Sequence, residues 1–441
     1  MAVDAEASIS ADASPVTEVD AGLPRLYKWR LLALLTMVYA CHAMDRAVTS
    51  VVLEPIKREF RLNDSQLGAL GGLTHGIAFC LFVLPVGWLA DRTNRRNLLA
   101  SLLAVWSGMT FAAGLAGGYL TLLLVRFGVG AAEAGGGPVS MSLVADVFPP
   151  RQRPTAIGFL YLGLAAGQGL IFFFGGYVAQ HYGWRPVYFI AGAPGLILAV
   201  LLLKFARETK RGAVEGLTHG EMAPPRAGEI LRAMVRIPAL IFATIGITLS
   251  AVACNAVWVW MASLLGRIHH FQLGTIGLVL AIAAGICSGI GSVTAGPIAG
   301  AAVRRGGTAA LGLFAGVVTL VGTPLGFGAI FAASPALAIA SVIGLGFTFG
   351  AWLPPSFSLV LAISPPHMRA SILSIVQLAT NFFALALAPL LVGMLSDLIG
   401  GANSLVFALG AVFSVLFLAA LCFLVAAWLT RRAELSGSAG S

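Results

Sequence analysis

The chain has 441 residues, 58% of them hydrophobic and only 10% charged, against about 25% charged in an average protein. A water-soluble fold cannot hide so much apolar surface, so soluble enzymes and soluble binding modules are excluded. The net charge of +9 invites a nucleic-acid partner, which the placement of the basic residues removes.

Residues 1–22, MAVDAEASISADASPVTEVDAG, are acidic, rich in Ala and Ser and poor in large apolar side chains. They are expected to form a disordered tail. They lack the basic region and apolar core of a signal peptide. Six apolar blocks follow, at 29–52, 67–90, 97–116, 119–141, 155–179 and 185–205. Each is about 20 residues, the length that crosses ~30 Å of hydrocarbon as a helix. A polar stretch, 206–236, comes next. Within it GEILRAMVR sets Ile230, Leu231, Met234 and Val235 at helical spacing among basic residues. That pattern predicts a short helix lying on the membrane interface. Six more blocks complete the chain, at 237–264, 274–301, 308–332, 335–361, 370–397 and 403–429. Continuous apolarity with frequent Gly fits helices, not barrel strands, which alternate with a period of two.

The expectation is therefore an all-α integral membrane protein with twelve transmembrane helices in two pseudo-symmetric six-helix bundles. Its parts are a tail at 1–22, a first bundle at 23–205, a linker at 206–236, a second bundle at 237–430 and a short tail at 431–441. If the amino terminus is cytoplasmic, 20 of the 27 basic residues fall in cytoplasmic loops. Five fall on the other side: Lys57, Arg58, Arg61, Arg185 and Arg267. This asymmetry places both termini in the cytoplasm of a multi-pass cell-membrane protein and assigns the basic balance to topology, with no nucleic-acid partner. The bilayer is the partner expected instead, and the chain is expected to act as a monomer.

The halves echo each other. GWLADRTNRR at 87–96 and GPIAGAAVRR at 296–305 align at a constant offset of 209 residues, pairing Gly87 with Gly296, Arg95 with Arg304 and Arg96 with Arg305. An internal repeat of this kind marks a transporter of two related bundles with its substrate site between them. GWLADRTNRR resembles the loop signature between the second and third helices of the major facilitator superfamily. Within that superfamily, MDRAVTSVVLEPIKREFRLNDSQLGAL, RFGVGAAEAGGGPVSMSLVADVFPPRQR and YGWRPVYFIAGAPG resemble the Spinster-like transporters, over roughly residues 37–210. Ala132 stands where those transporters usually carry Gly, and GGG follows the Glu-Ala pair where they usually carry a Ser and a bulkier residue. The resemblance implies alternating access, a lysophospholipid or sphingoid phosphate as cargo, and proton exchange at Asp45 and Glu133. It also implies that the first and fourth helices line the cavity, and that a charged cluster at the loop holds the cytoplasmic side shut.

Ionisable side chains inside a span cost at least ~2.5–3.5 kcal/mol each. Four lie at depth: Asp45 and Arg46 in the first helix, Arg126 and Glu133 in the fourth. Arg126 and Glu133 are two turns apart on one face. Asp45 and Arg46 are neighbours that diverge by about 100° and need other partners. Pairing across the helices is expected, with Asp45–Arg126 and Arg46–Glu133 the obvious options. Such pairs either fix helix register or couple protons to anion binding. His42, one turn before Asp45, joins Asp45 and Glu133 as a candidate proton carrier. His75, mid-way along the second helix, also could titrate near neutrality.

Arg46 and Arg126 are the candidate anion ligands. The second half has no charged residue inside a span; Arg267, Arg304, Arg305, Arg369 and Asp397 sit at predicted ends. It offers Asn255, Trp258, Gln377 and Asn381 as candidate substrate contacts, although a lone amide in a span also serves as glue between helices. Asp91, Arg92, Arg95, Arg96 and Asp146 form the candidate cytoplasmic gate.

Nothing points to catalysis. HExxH, GxSxG and GxxxxGK[ST] are absent, so no zinc, nucleophile or ATP site is expected. Cys41, Cys80, Cys254, Cys287 and Cys422 lie in apolar blocks without metal-ligand spacing. No cofactor and no metal are expected. The function expected is proton-coupled secondary transport of an amphipathic anion. The alternatives are a small organic anion, such as a sugar acid or aromatic acid, or a drug exported by efflux. A channel or scramblase would not need the two-bundle repeat.

Overall fold

A computed structural model of the chain describes residues 24–149, 152–208, 227–365 and 368–438. The tail expected over 1–22 and most of the linker lie outside the described residues. Every regular element among the described residues is helical.

Six spans precede the linker helix. They are α1 (Arg25–Phe60), α2 (Asp64–Arg92), α3 (Arg95–Ala113), α4 in two segments (Tyr119–Glu133 and Gly136–Val147), α5 (Arg153–Tyr182) and α6 (Arg185–Phe205). The linker helix is Ala227–Arg236. Six spans follow it: α7 (Pro238–His269), α8 (Leu273–Gly306), α9 (Ala309–Phe331), α10 in two segments (Pro335–Ala351 and Leu353–Ile363), α11 (Ser371–Ile399) and α12 (Ser404–Ser436).

Ten of these are long and apolar enough to cross a membrane by length and composition. The other two are α3, which opens on Arg95, Arg96 and Asn97, and α4, which breaks after Glu133 at the run Gly135–Gly136–Gly137. Helix continues past Arg431 as far as Ser438, so the residues expected to form a carboxyl-terminal tail begin as an extension of α12.

Local sequence sets the boundaries. Asn63 and Gln66 form a reciprocal capping box at the start of α2, and the Asn94 side chain accepts from the Asn97 N–H at the start of α3; both satisfy amides that a helix start leaves unpaired. Proline stands within the first two positions of α6, α7 and α10, where its missing N–H costs nothing. Both α1 and α7 end on a residue in the left-handed region, Arg61 and His270, each at φ 54°. They are 209 residues apart, the offset of the loop repeat, so the duplication is visible in backbone geometry as well as in sequence.

Within the first bundle α1 packs on α5 and α3 on α6; within the second, α7 and α9 pack on α12, and α8 on α10. The bundles meet where α2 crosses α11, α5 crosses α8 and α1 crosses α7. Glycines allow the first two crossings. A Cβ on Gly68 or Gly76 would collide with the α11 main chain at Pro389 or Ala386, and one on Gly277 or Gly285 would meet the α5 main chain at Phe172 or Gly169. Gly68 and Gly277, like Gly76 and Gly285, are again 209 apart. The same two positions thus bring each copy of the repeat against the opposite bundle. Three short π-helical turns, Ala69–Leu73 in α2, Ala281–Cys287 in α8 and Asn381–Leu387 in α11, lie at these crossings.

The end of the molecule that carries the linker helix is the linker face; the opposite end is the far face. The far-face halves make the contacts between bundles. On the linker face, the second segments of α4 and α10 pack within their own bundles. The two bundles are therefore joined at the far face and splayed toward the linker.

A buried carboxylate cluster in the first bundle

Glu133 ends the first segment of α4, just before the glycine run. Gly130, one turn earlier, lets the helix close onto the main chain of His75 in α2. The result places Glu133, fully buried, among three basic side chains. Its Oε2 lies 3.3 Å from Arg46 Nε, 3.2 Å from His75 Nε2 and 3.5 Å from His42 Nδ1. Oε1 has no partner. Arg46 stacks 5.3 Å over the Phe79 ring, and its side chain is 31% exposed. His42 is 17% exposed and packs edge-on to Trp106. Arg46 and His42 therefore form the accessible side of the cluster, with Glu133 and His75 behind them.

Arg126 and Asp45 do not pair through their side chains. Arg126 Nη1 donates to the main-chain oxygen of Asp45 at 2.9 Å. The Asp45 carboxyl instead faces the Thr110 hydroxyl and the Trp106 indole, and completes a hydrogen bond with neither. The expected Asp45–Arg126 ion pair is thus replaced by a side-chain-to-backbone contact, because Asp45 points toward α3 while its carbonyl points toward α4. Arg126 is only 2% exposed, which withdraws it from direct contact with a ligand in this conformation. Arg46 and Glu133 do lie together, at hydrogen-bonding distance.

The candidates of the second bundle lie on neighbouring elements. Asn255 and Trp258 are half-buried on α7; Gln377 is exposed on α11, and half-buried Asn381 begins its π-helical turn. Trp258 packs between Phe172 of α5 and Phe349 of α10, with ring centroids 6.4 and 5.8 Å away. Phe382 and Phe383 are exposed beside Asn381.

At the linker face, Arg95 is buried and pairs with Asp146 at 2.5 Å. It also donates to Ser142 and to Glu208. Glu208 accepts from the Arg96 main-chain N–H at 2.9 Å, and Arg92 stacks on Trp88. Asp91 is exposed at the end of α2. These contacts all lie within the first bundle and its exit into the linker. Sequence reasoning missed Glu208, whose only signal was an acid among the basic residues after the sixth block.

A second cluster, also missed, lies at the far face. Asp64 receives both Arg267 Nη atoms at 2.8 Å, Lys57 Nζ at 2.5 Å and the Ser396 hydroxyl at 2.7 Å. Arg267 also pairs with Glu54. Asp397 accepts from the N–H groups of Asp64 and Ser65. This network ties α1 and α2 to α7 and α11, and so bolts the bundles together on the side away from the linker.

Comparison with known proteins fits this architecture. The pattern of the Major Facilitator Superfamily matches residues 35–386. An MFS-type efflux pump of Mycolicibacterium smegmatis is 26% identical over 370 residues, 84% of each chain. Protein spinster homolog 1 of Homo sapiens is 30% identical over 244 residues, 54% of this chain; the chain spans about half of that relative, 46%. The crystal structure of a bacterial homolog to the human lysosomal transporter Spinster superposes with a TM-score of 0.79 at 24% identity, covering 92% of this chain and 98% of that one. The chain belongs to the major facilitator superfamily of membrane transporters.

Proposed function

We propose that the protein is a proton-coupled secondary transporter of an amphipathic anion, of the lysophospholipid or sphingoid phosphate type. It works by alternating access in the cell membrane as a monomer, with both termini cytoplasmic. The observation that carries this reading is the position of Arg46, half-exposed and yet the guanidinium partner of buried Glu133. An anion that draws Arg46 away leaves Glu133 buried without its counter-ion, which is costly. A proton at the site relieves that cost, so the anion and the proton move together. Asp45, Glu133 and His42 are the proton carriers. Arg126, buried here, acts on the site through its charge. Trp258, Phe382 and Phe383 suit a hydrocarbon portion, and Asn255, Gln377 and Asn381 offer polar contacts near it. Asp91, Arg92, Arg95, Arg96 and Asp146 make up the cytoplasmic gate.

The match to the mycobacterial efflux pump along most of both chains favours a second reading, export of a drug-like amphipath. Binding to the purified chain in nanodiscs separates the two. The probes are lysophosphatidylglycerol, sphingosine 1-phosphate, galactarate and ethidium, at about pH 5.5 and about pH 8 to bracket histidine titration. The phosphate-bearing lipids are expected to bind, and Arg46→Gln to weaken them about tenfold or more, the loss of a charge-assisted contact. Binding of galactarate alone transfers the case to a short organic anion, and binding of ethidium alone to drug export. Lipid binding indifferent to Arg46 removes the anion reading.

A further inference from the structure

We propose that His75 is the inner end of a proton relay, His42–Glu133–His75, which gives Glu133 a replacement counter-charge when Arg46 leaves it. This rests on the proton-coupled reading and adds to it a residue and a place where the proton is held.

The geometry comes first. His75 is wholly buried on α2, and Nε2 lies 3.2 Å from Glu133 Oε2, off the line of a formed hydrogen bond. Nδ1 meets no partner. A structural core histidine is ordinarily fixed by a carbonyl or hydroxyl on at least one nitrogen. Here the polar neighbour is a carboxylate oxygen alone. The same oxygen faces His42 on the other side, and His42 is the histidine that reaches open space. One carboxylate oxygen thus stands between an accessible imidazole and a sealed one.

The charge balance gives the relay its use. While Arg46 pairs with Glu133, the carboxylate has its counter-ion and His75 is neutral. When an anion engages Arg46, a proton from water binds His42 Nδ1, passes to Glu133 Oε2 and then to His75 Nε2. His42 and Glu133 end as they began. One proton has entered, and an imidazolium stands where the guanidinium stood as partner of the carboxylate. The sealed position keeps water from removing that proton while the bundles rearrange.

The charged groups that act on His75 are His42 and Arg46 from α1 and Arg126 and Glu133 from α4. The packed parts of α3 present Trp106 and Thr110, and the π-helical turn of α11 carries no titratable side chain. Arg95 and Asp146 lie at the linker-face ends of α3 and α4. Among the described residues, the part of the other bundle packed against α2 here therefore supplies no competing charge.

The test uses the full chain in nanodiscs with 15N-labelled histidine, titrated from about pH 4 to about pH 8. His75→Gln keeps an amide donor near the Nε2 position and cannot take a proton. In the wild type both His42 and His75 are expected to titrate, and Glu133→Gln is expected to move both midpoints by about one unit or more. Addition of lysophosphatidylglycerol as anion probe should cause net proton uptake, and His75→Gln should cut that uptake by about half or more. A His75 that stays neutral throughout, or His75→Gln uptake equal to wild type, overturns the relay. If Asp45→Asn and Glu133→Gln abolish uptake while His75→Gln does not, proton coupling stands and the relay falls. Wild-type uptake in all three variants removes both.

Discussion

Two carboxylates at the same depth are held in opposite ways. Glu133 has a guanidinium and two imidazoles around one oxygen, whereas the Asp45 carboxyl receives no hydrogen bond. Removing the charge of Glu133 strands Arg46 beside a neutral amide; because Arg46 keeps solvent on one side, at 31% exposure, we expect a loss of about 2 kcal/mol rather than the full value of a sealed pair. Removing the charge of Asp45 breaks no contact, so the isosteric Asp45→Asn should stay within about 1 kcal/mol of wild type. Thermal unfolding in detergent, followed by tryptophan fluorescence, should show Glu133→Gln melting well below wild type and Asp45→Asn close to it. Equal losses would mean that Asp45 carries a contact as strong as that of Glu133. In pH-gradient uptake of lysophosphatidylglycerol both variants should fail. Stability and coupling thus separate at Asp45 and coincide at Glu133.

At the scale of helices, the crossing of α2 with α11 depends on what Gly68 and Gly76 lack. A valine at Gly68 would press its methyl groups into the Pro389 carbonyl at the far face. Overpacking of this kind costs about 1–3 kcal/mol, and the strain is relieved by separating α2 from α11. Gly68→Val should therefore reduce the population with the far face joined, as measured by spin-label distances between the far-face ends of α1 and α7. Gly87→Val, where a Cβ meets open space, is the control. An unchanged distance distribution for Gly68→Val would show that the crossing tolerates bulk. The spans themselves were legible in the sequence because uninterrupted apolarity over a membrane thickness has few other solutions. The break in α4 and the π-helical turns were not, since Gly runs inside apolar blocks occur in helices of every kind. Asp45, Arg46, Arg126 and Glu133 stood out because charge inside a span is rare. Their partners did not: which way Asp45 points, and that His75 reaches Glu133 across 58 positions of chain, are set by how α1, α2 and α4 pack.

At the scale of the whole molecule, the far-face network and the linker-face cluster differ in what they join. Arg95 binds Asp146 and Glu208, on the first bundle and its exit. Arg267 crosses between bundles. It grips Asp64 with both Nη atoms and also reaches Glu54. Opening the far face requires those contacts to break together, and the balance between conformations should follow their strength. Arg267→Gln removes the charge that Asp64 and Glu54 share. Because Arg267 is partly solvated, at 19% exposure, we expect about 2 kcal/mol rather than the full value of a sealed pair. Since 1.4 kcal/mol is a factor of ten, the joined far face should lose more than tenfold in population relative to the open one. Arg185→Gln supplies the comparison. It breaks an ion pair with Glu59 at 2.7 Å that is two-fifths exposed and lies within the first bundle, so it should leave the distribution unchanged. Spin-label distances across both faces should then move in opposite senses for Arg267→Gln, longer at the far face and shorter at the linker face. Movement at the far face alone would mean that the bundles loosen without rocking, and would count against alternating access about a single central site.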